Sequence, residues 1–226
     1  MRNIEQMGRE KEMDFLNEIS ESLQNGLTKE VMQLVQQALD EGIPAKTILD
    51  EGLLAGMNVI GTLFKANEIY VPEVLFAARA MNMGASLLKP YLARDGVQVV
   101  GRVVIGTVQG DLHDIGKNLV KMMLEGKGIE VVDIGTDAPA AHFVQTAIQK
   151  ECDIICCSAL LTTTMQAMAD VVCEAEKAGI RDKVKIMIGG APVTQAYCDK
   201  IAADCYTPDA PSAAEWAASY LRNKAV

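Results

Sequence analysis

The chain has 226 residues, 21 Lys and Arg against 30 Asp and Glu for a formal charge of −9, two histidines, six cysteines and 4% aromatic residues. That length suits one large or two small domains around a real core, and the composition is globular rather than disordered or fibrous. The acidic balance and scarce rings argue against a nucleic-acid partner. No run approaches the ~18 apolar residues of a membrane span, and the polar start, MRNIEQMGREKEMDF, lacks a signal-peptide core. The expectation is a cytoplasmic protein with no membrane contact.

Up to about residue 93 the apolar spacing is helical. Phe15, Leu16, Ile19 and Leu23 share a face, and this first helix stops near Asn25-Gly26. Thr28, then Val31, Leu34, Val35, Ala38 and Leu39, predicts a capped second helix that Gly42 and Pro44 end. The third, Ala45 to about Phe64, carries Ile48, Leu49, Leu53, Met57, Ile60 and Phe64, while Gly52, Gly56 and Gly61 permit close approach by a neighbour. After Ala66-Asn67-Glu68, a fourth helix runs from Val71 to about Leu92, with Pro72 in its first turn and a stripe of Val71, Val74 or Leu75, Ala78, Met81, Ala85 and Leu88. Short connections make this an antiparallel four-helix bundle. The predicted division is a helical cap, residues 1–95, and a second domain, 96–226, with a linker at Arg94-Asp95-Gly96.

From about residue 99 strands alternate with helices. Predicted strands are Val103–Val108, Ile129–Ile134, Asp153–Ser158, Val184–Ile188 and a minimal Asp204–Tyr206. The helices between and after them are one through Leu119–Leu124, then Ala140–Lys150, Thr163–Ala178, Thr194–Ala202 and Ala210 to about Arg222. Strands that are apolar throughout imply a parallel sheet covered on both faces. Five such units predict an α/β, flavodoxin-like (Rossmann-like) doubly wound domain with its ligand at the carboxyl ends of the strands. The six cysteines form no CxxC pair and read as small buried apolar residues, with neither zinc site nor disulfide framework.

The loop after the first strand, Gly110-Asp111-Leu112-His113-Asp114-Ile115-Gly116-Lys117, holds one of the two histidines. Asp111 can accept a hydrogen bond from one imidazole nitrogen and leave the other for a metal or a proton. The competing reading is a helix-capping aspartate beside a partly buried histidine. GxGxxG and GxxxxGK[ST] are both absent, so this is not a nucleotide loop. One histidine without a second His or Cys nearby cannot fill the coordination sphere of zinc or iron. A metal on His113 needs a cofactor that brings the other ligands, a condition haem and corrinoids meet. His142, at a predicted helix start, reads as a surface residue, and the pairs Glu10/Glu12 and Asp50/Glu51 as solvated helix faces.

Asp111-x-His113-x-x-Gly116, then 41 residues, Ser158-x-Leu160, then 28 residues, and Gly189-Gly190 resembles the base-off/His-on cobalamin-binding motif. GDLHDIGKNLV is similar to the equivalent loop of cobalamin-dependent methionine synthase. Met57-Asn58-Val59-Ile60-Gly61-x-x-Phe64 and Ile69-Tyr70-Val71-Pro72-Glu73-Val74 resemble that enzyme's helical cap. Overall size and SALLTTTM fit best with free-standing corrinoid proteins of the methylamine, methanol and methoxyaromatic methyltransferase systems.

The resemblance implies cobalamin as cofactor, with His113 as lower ligand of cobalt, Asp111 bonded to His113 and Ser158 completing a relay. It also implies cofactor contacts from Gly110, Asp114, Ile115, Leu160 and Thr162, and room for the displaced nucleotide tail at Gly116, Gly189 and Gly190. Hydroxyls at Thr162-Thr163-Thr164 equally suit capping of the third helix of the α/β half. Tyr206 and Pro208 fall at the rim, and Phe64, Val71 and Val74 would cover the methyl group. The implied function is a methyl carrier rather than a complete enzyme. Its partners would be a substrate-specific methyltransferase, a corrinoid:acceptor methyltransferase passing the methyl to tetrahydrofolate or a thiol, and a reductive activase. The alternatives are the small subunit of an adenosylcobalamin mutase, a cobalamin-based sensor and a response-regulator-like signalling domain. Methylamines, quaternary amines, methanol and methoxyaromatics all remain open as donors.

Overall fold

The 3.6-residue spacing of the first half is realised as helices in a computed structural model that describes residues 2–95 and 100–224. Gly96 of the predicted linker and the side chain of Glu10 lie outside the described residues. The chain divides into two compact units, Met1–Gln98 and Val99–Val226.

In the first unit, α1 (Arg2–Gln24) and α2 (Thr28–Asp40) are followed by α3 (Ala45–Lys65) and α4 (Val71–Arg94). Leu16, Ile19 and Leu23 meet Val31, Val35 and Ala38 in a core completed by Ile48, Leu53, Met57, Ile60, Ala77 and Leu88. Thr28 does not cap α2: the chain reverses at Gly26, the cap position belongs to Leu27, and Thr28 is already the first helical residue. Within α3 the stretch Ile48–Leu54 is π-helical, a widening that the apolar stripe did not announce. Gly52 and Gly56 do allow close packing. A methyl on Gly52 would lie 3.1 Å from Ile19, and one on Gly56 would lie 2.9 Å from the Ser20 carbonyl oxygen. Among the described residues α3 alone has the length and apolar composition of a membrane span, and its buried residues are part of this core. The N-terminus of α4 is stapled by the Tyr70 N–H, which donates to Glu73 Oε2 at 3.0 Å.

The second unit is a parallel five-stranded sheet in the order β2-β1-β3-β4-β5. Its strands are β1 (Arg102–Thr107), β2 (Glu130–Asp133), β3 (Ile154–Ser158), β4 (Lys185–Gly189) and β5 (Cys205–Tyr206). The helices are α5 (Ile115–Glu125), α6 (Ala140–Gln149), α7 (Gln166–Lys177), α8 (Gln195–Lys200) and α9 (Ala210–Lys224). Alternation along β3 sends neighbouring cysteines to opposite faces. Cys157 joins Val104, Phe143, Met168 and Ile188 in one core cluster, while Cys156 pairs in register with Ile105 and Met187. Both are buried, and so are Cys152, Cys198 and Cys205; Cys173 is exposed, contrary to the buried reading of all six. Burial pushes the Cys152 thiol up to about 11 and Cys205 to about 12, so neither is a nucleophile at neutral pH.

Register decides where a site can form. Thr107, Ser158 and Gly189 stand side by side as the last residues of β1, β3 and β4, so the loops that follow leave the sheet at one level. Gly190 begins one of them at φ +133, where a Cβ would sit 1.8 Å from the carbonyl oxygen of Ala159. Its absence of side chain is a demand of the fold itself. Gly116, on α5, faces open space. Replacing Gly190 by Ala should cost about 3 kcal/mol or more, whereas Gly116→Ala should leave stability within about 1 kcal/mol. Urea unfolding of the two variants checks this contrast.

Candidate functional site

Between β1 and α5 the chain turns inward to bury Asp111, which is fully excluded from solvent. A carboxylate in that position is tenable only with donors around it. Oδ1 accepts from the backbone N–H of His113 at 3.1 Å and lies 2.7 Å from His113 Nδ1. Oδ2 accepts from the N–H groups of Leu160 and Leu161 at 2.8 and 3.3 Å and from Thr164 Oγ1 at 2.9 Å. Burial by itself would raise the Asp111 carboxyl, but the His113, Leu160 and Thr164 hydrogen bonds prevail and hold it well below the usual carboxylate range. With Asp111 ionised, the proton between it and the imidazole belongs to Nδ1. Nε2 is therefore the nitrogen with a free lone pair.

The rest of the loop directs that nitrogen outward. Thr107, buried at the end of β1, donates its hydroxyl to the His113 carbonyl at 2.8 Å. Gly110, at φ +84, and Asp137, at φ +53, make the turn, and the Gly110 N–H reaches Asp137 Oδ1 at 2.7 Å. The imidazole stays 52% exposed. Leu112 and Ile115 flank it, each 74% exposed, and Leu160 and Leu161 are exposed on the neighbouring loop. A rim of large apolar side chains about a polar atom is the composition of a ligand site. Beneath it, buried Lys117 donates to both oxygens of Asp133 at 2.8 and 2.7 Å and to Asn118, and Asn118 in turn donates to Asp114.

The predicted residues divide accordingly. Gly110, Asp111, His113 and Leu160 share one set of hydrogen bonds, and Asp114, Ile115 and Gly116 follow at the start of α5. Asp111 is not a helix cap, and Asp114, which holds the cap position, makes no side-chain capping bond. Ser158 ends β3 half-buried and gives its carbonyl to the Val108 N–H, but its hydroxyl is not the one at Asp111. Thr164 holds that place, six residues on. This also corrects the capping reading of Thr162–Thr164, because α7 begins only at Gln166 and without a side-chain cap. Thr162 is exposed, Gly189 lies at the edge and Tyr206 is half-buried against the core. Phe64, Val71 and Val74 belong to the helical unit. Phe64 and Val71 are half-buried, but Val74 is wholly buried and offers no surface to a ligand. His142 is exposed, as expected. Thr107, Leu161 and Asp137 carried no motif. The signal for Thr164 was its place beside SxL, read as a helix cap instead.

Among the described residues no group of three or more His, Cys, Asp or Glu could hold a metal. The donor set is one imidazole nitrogen with its tautomer fixed from behind. It fits a metal whose remaining ligands arrive with a macrocycle, and the apolar rim fits that ring's faces. Haem and corrinoids both meet that description, and similarity to known proteins decides between them. The family model described as the B12 binding domain matches residues 101–215, and a second of the same description matches residues 15–89. The chain belongs to this family of corrinoid proteins, which sets aside the response-regulator reading. It is 42% identical over 199 residues to dimethylamine corrinoid protein 3 of Methanosarcina acetivorans, covering 88% of this chain and 93% of that protein. A corrinoid protein of Desulfitobacterium hafniense is 37% identical over 212 residues, 92% and 98% of the two chains. The methanol:cobalamin methyltransferase complex MtaBC from Methanosarcina barkeri contains a chain superposing with TM-score 0.83 at 29% identity, over 93% of this chain and 84% of that one.

The depressed Asp111 carboxyl has a signed consequence. A folded-state value below the ordinary 3.8 means stabilisation that is complete above about pH 4 and lost as pH falls through the folded value. Asp111→Asn should therefore destabilise the cofactor-free protein by about 1.5–3 kcal/mol at pH 7. The gap from the unsubstituted protein should narrow below about pH 4. Urea midpoints from pH 7 to 3 measure it.

Proposed function

We propose that the chain is a cytoplasmic methyl carrier that binds cobalamin base-off with His113 Nε2 as the lower ligand of cobalt. The observation that carries this reading is the 2.7 Å contact between His113 Nδ1 and the fully buried Asp111. When bound, the corrinoid supplies a cobalt that takes up and releases a methyl group. The protein's part is to hold the ring, set the basicity of Nε2 and exclude water. Asp111 keeps the Nδ1 proton in place and so leaves Nε2 as the atom that would hold the metal. Thr164 keeps Asp111 aligned. Leu112, Ile115, Leu160 and Leu161 would lie against the corrin, and Gly116, Ser158, Thr162, Gly189 and Gly190 would border the nucleotide tail. Residues 1–95 would serve as the helical cap domain and 96–226 as the cofactor domain.

Similarity to dimethylamine corrinoid proteins and to MtaBC supports a multi-component methyltransferase system. The partners would be a substrate-specific methyltransferase, a corrinoid:acceptor methyltransferase and a reductive activase. A match to the helical B12-binding region at residues 15–89 favours the carrier over a mutase subunit without a cap.

The test is isotope-edited EPR of the Co(II) form reconstituted from hydroxocobalamin, with the protein labelled in histidine nitrogen. Coupling to labelled histidine is expected, and coupling to benzimidazole nitrogen instead would sink the reading. Thr164→Val should weaken corrinoid binding by about 10-fold or more, with Thr164→Ser near normal. Gly116→Leu should reduce affinity while leaving the stability of the cofactor-free chain unchanged, because that position faces open space. Both affinities are read by absorbance titration.

A further inference from the structure

The Asp111–His113 pair is held from a side that no motif marks. Asp137, on the loop after β2, accepts the Gly110 N–H at Oδ1 at 2.7 Å, and its own N–H donates to the Asp111 carbonyl at 2.9 Å. These two bonds bracket the Gly110–Asp111 peptide from both ends. Next to them Ala138 bridges Val108, and the Ala138 N–H reaches the Thr107 carbonyl at 3.0 Å. Asp137 makes this clasp from φ +53, left-handed backbone that a non-glycine residue occupies at a cost, although Asp tolerates it better than most. Glycine would ease the backbone there and would give up the carboxylate. A strained residue whose two hydrogen bonds grip the main chain on either side of the Gly110–Asp111 peptide is more economically read as a positioning device than as a turn.

We propose that Asp137 is a positioning residue for His113, acting through the Gly110–Asp111 peptide to set the bearing of the imidazole. Asp111 reaches His113 over one short side chain, so a tilt of its backbone moves Oδ1 and with it the Nδ1 contact. The bonds from Leu160, Leu161 and Thr164 all end on the Asp111 carboxylate, and the Asp111 N–H donates to the Val108 carbonyl at 3.1 Å within the same turn. Asp137 grips its main chain from outside that turn, from the loop after β2. The assignment rests on His113 being the lower ligand of cobalt.

Three variants separate the parts of the clasp. Asp137→Asn keeps an acceptor oxygen and left-handed tolerance, Asp137→Gly keeps only the backbone freedom, and Asp137→Ala keeps neither. The first readout is the His113 Nδ1–H proton resonance in the cofactor-free, histidine-labelled protein. The second histidine is assigned by His142→Gln. That resonance should match the unsubstituted protein in Asp137→Asn and shift or broaden in Asp137→Gly and Asp137→Ala. The second readout is hydroxocobalamin affinity. It should fall by about fivefold in Asp137→Gly, less than the roughly 10–100-fold expected for losing a ligand's direct partner, and recover in Asp137→Asn.

An Asp137→Gly protein with unchanged resonance and unchanged affinity would overturn the assignment, whatever happens to its thermal stability. Equal losses in Asp137→Asn and Asp137→Gly would do the same. If the unsubstituted protein bound cobalt through benzimidazole, the ligand reading would fail, and the cofactor-free resonance would still decide whether Asp137 governs the imidazole.

Discussion

Everything at this site depends on keeping one carboxylate charged where water does not reach. The desolvation of Asp111 is offset only because five donors, from residues 113, 160, 161 and 164, converge on its two oxygens. None of these is local except His113. The others lie some fifty residues away, and they arrive because β1 and β3 are parallel neighbours whose ends are level. The doubly wound topology is thus a physical precondition of the histidine's tautomer, because without that strand order the aspartate would sit buried and unpaired or out in solvent.

The same constraint explains why the surroundings look unlike an ordinary surface. Leu112 and Ile115 remain largely exposed while Asp111 and Lys117 in the same stretch are buried. They stand in water beside an imidazole that is half-exposed. Apolar area left open is worth about 25 cal/mol per Å² to whatever covers it. Rigid polar bonding below and open apolar surface above is an arrangement that favours a flat, largely apolar ligand with a metal at its centre. That accords with membership of the B12-binding family.

Legibility from the sequence followed the range of the interactions. The strand positions and the helical stripes were readable because they rest on local periodicity, and the Asp111–His113 contact was readable because its partners are two positions apart. Thr164 was not, because its role depends on a chain reversal between β3 and α7, and the spacing instead favoured Ser158 and a helix beginning earlier. Gly190 was expected to make room for a ligand, yet its own backbone requires it against Ala159. Val74 sat in a segment similar to a cap, but one position along a helix separates a covering residue from a core one. The π-helical turn in α3 was not read from the apolar stripe, which was matched to an ordinary 3.6-residue period.

Two histidines in 226 residues argue against a protein-built metal cluster, and the proposed reading requires none. A protein-built metal site spends several side chains on capture and relies on their mutual geometry for selectivity. On the proposed reading the capture problem would belong to a ring, and a single nitrogen would only have to be presented at the right bearing. The polar structure between β1 and β3 fixes the His113 imidazole. Asp111 sets which nitrogen is free, Thr164 and two backbone amides keep Asp111 ionised, and Thr107 holds the His113 carbonyl. Scarcity of ligands and density of support are two sides of the same design: the fewer the bonds to the metal, the more each must be held by something that is not a ligand.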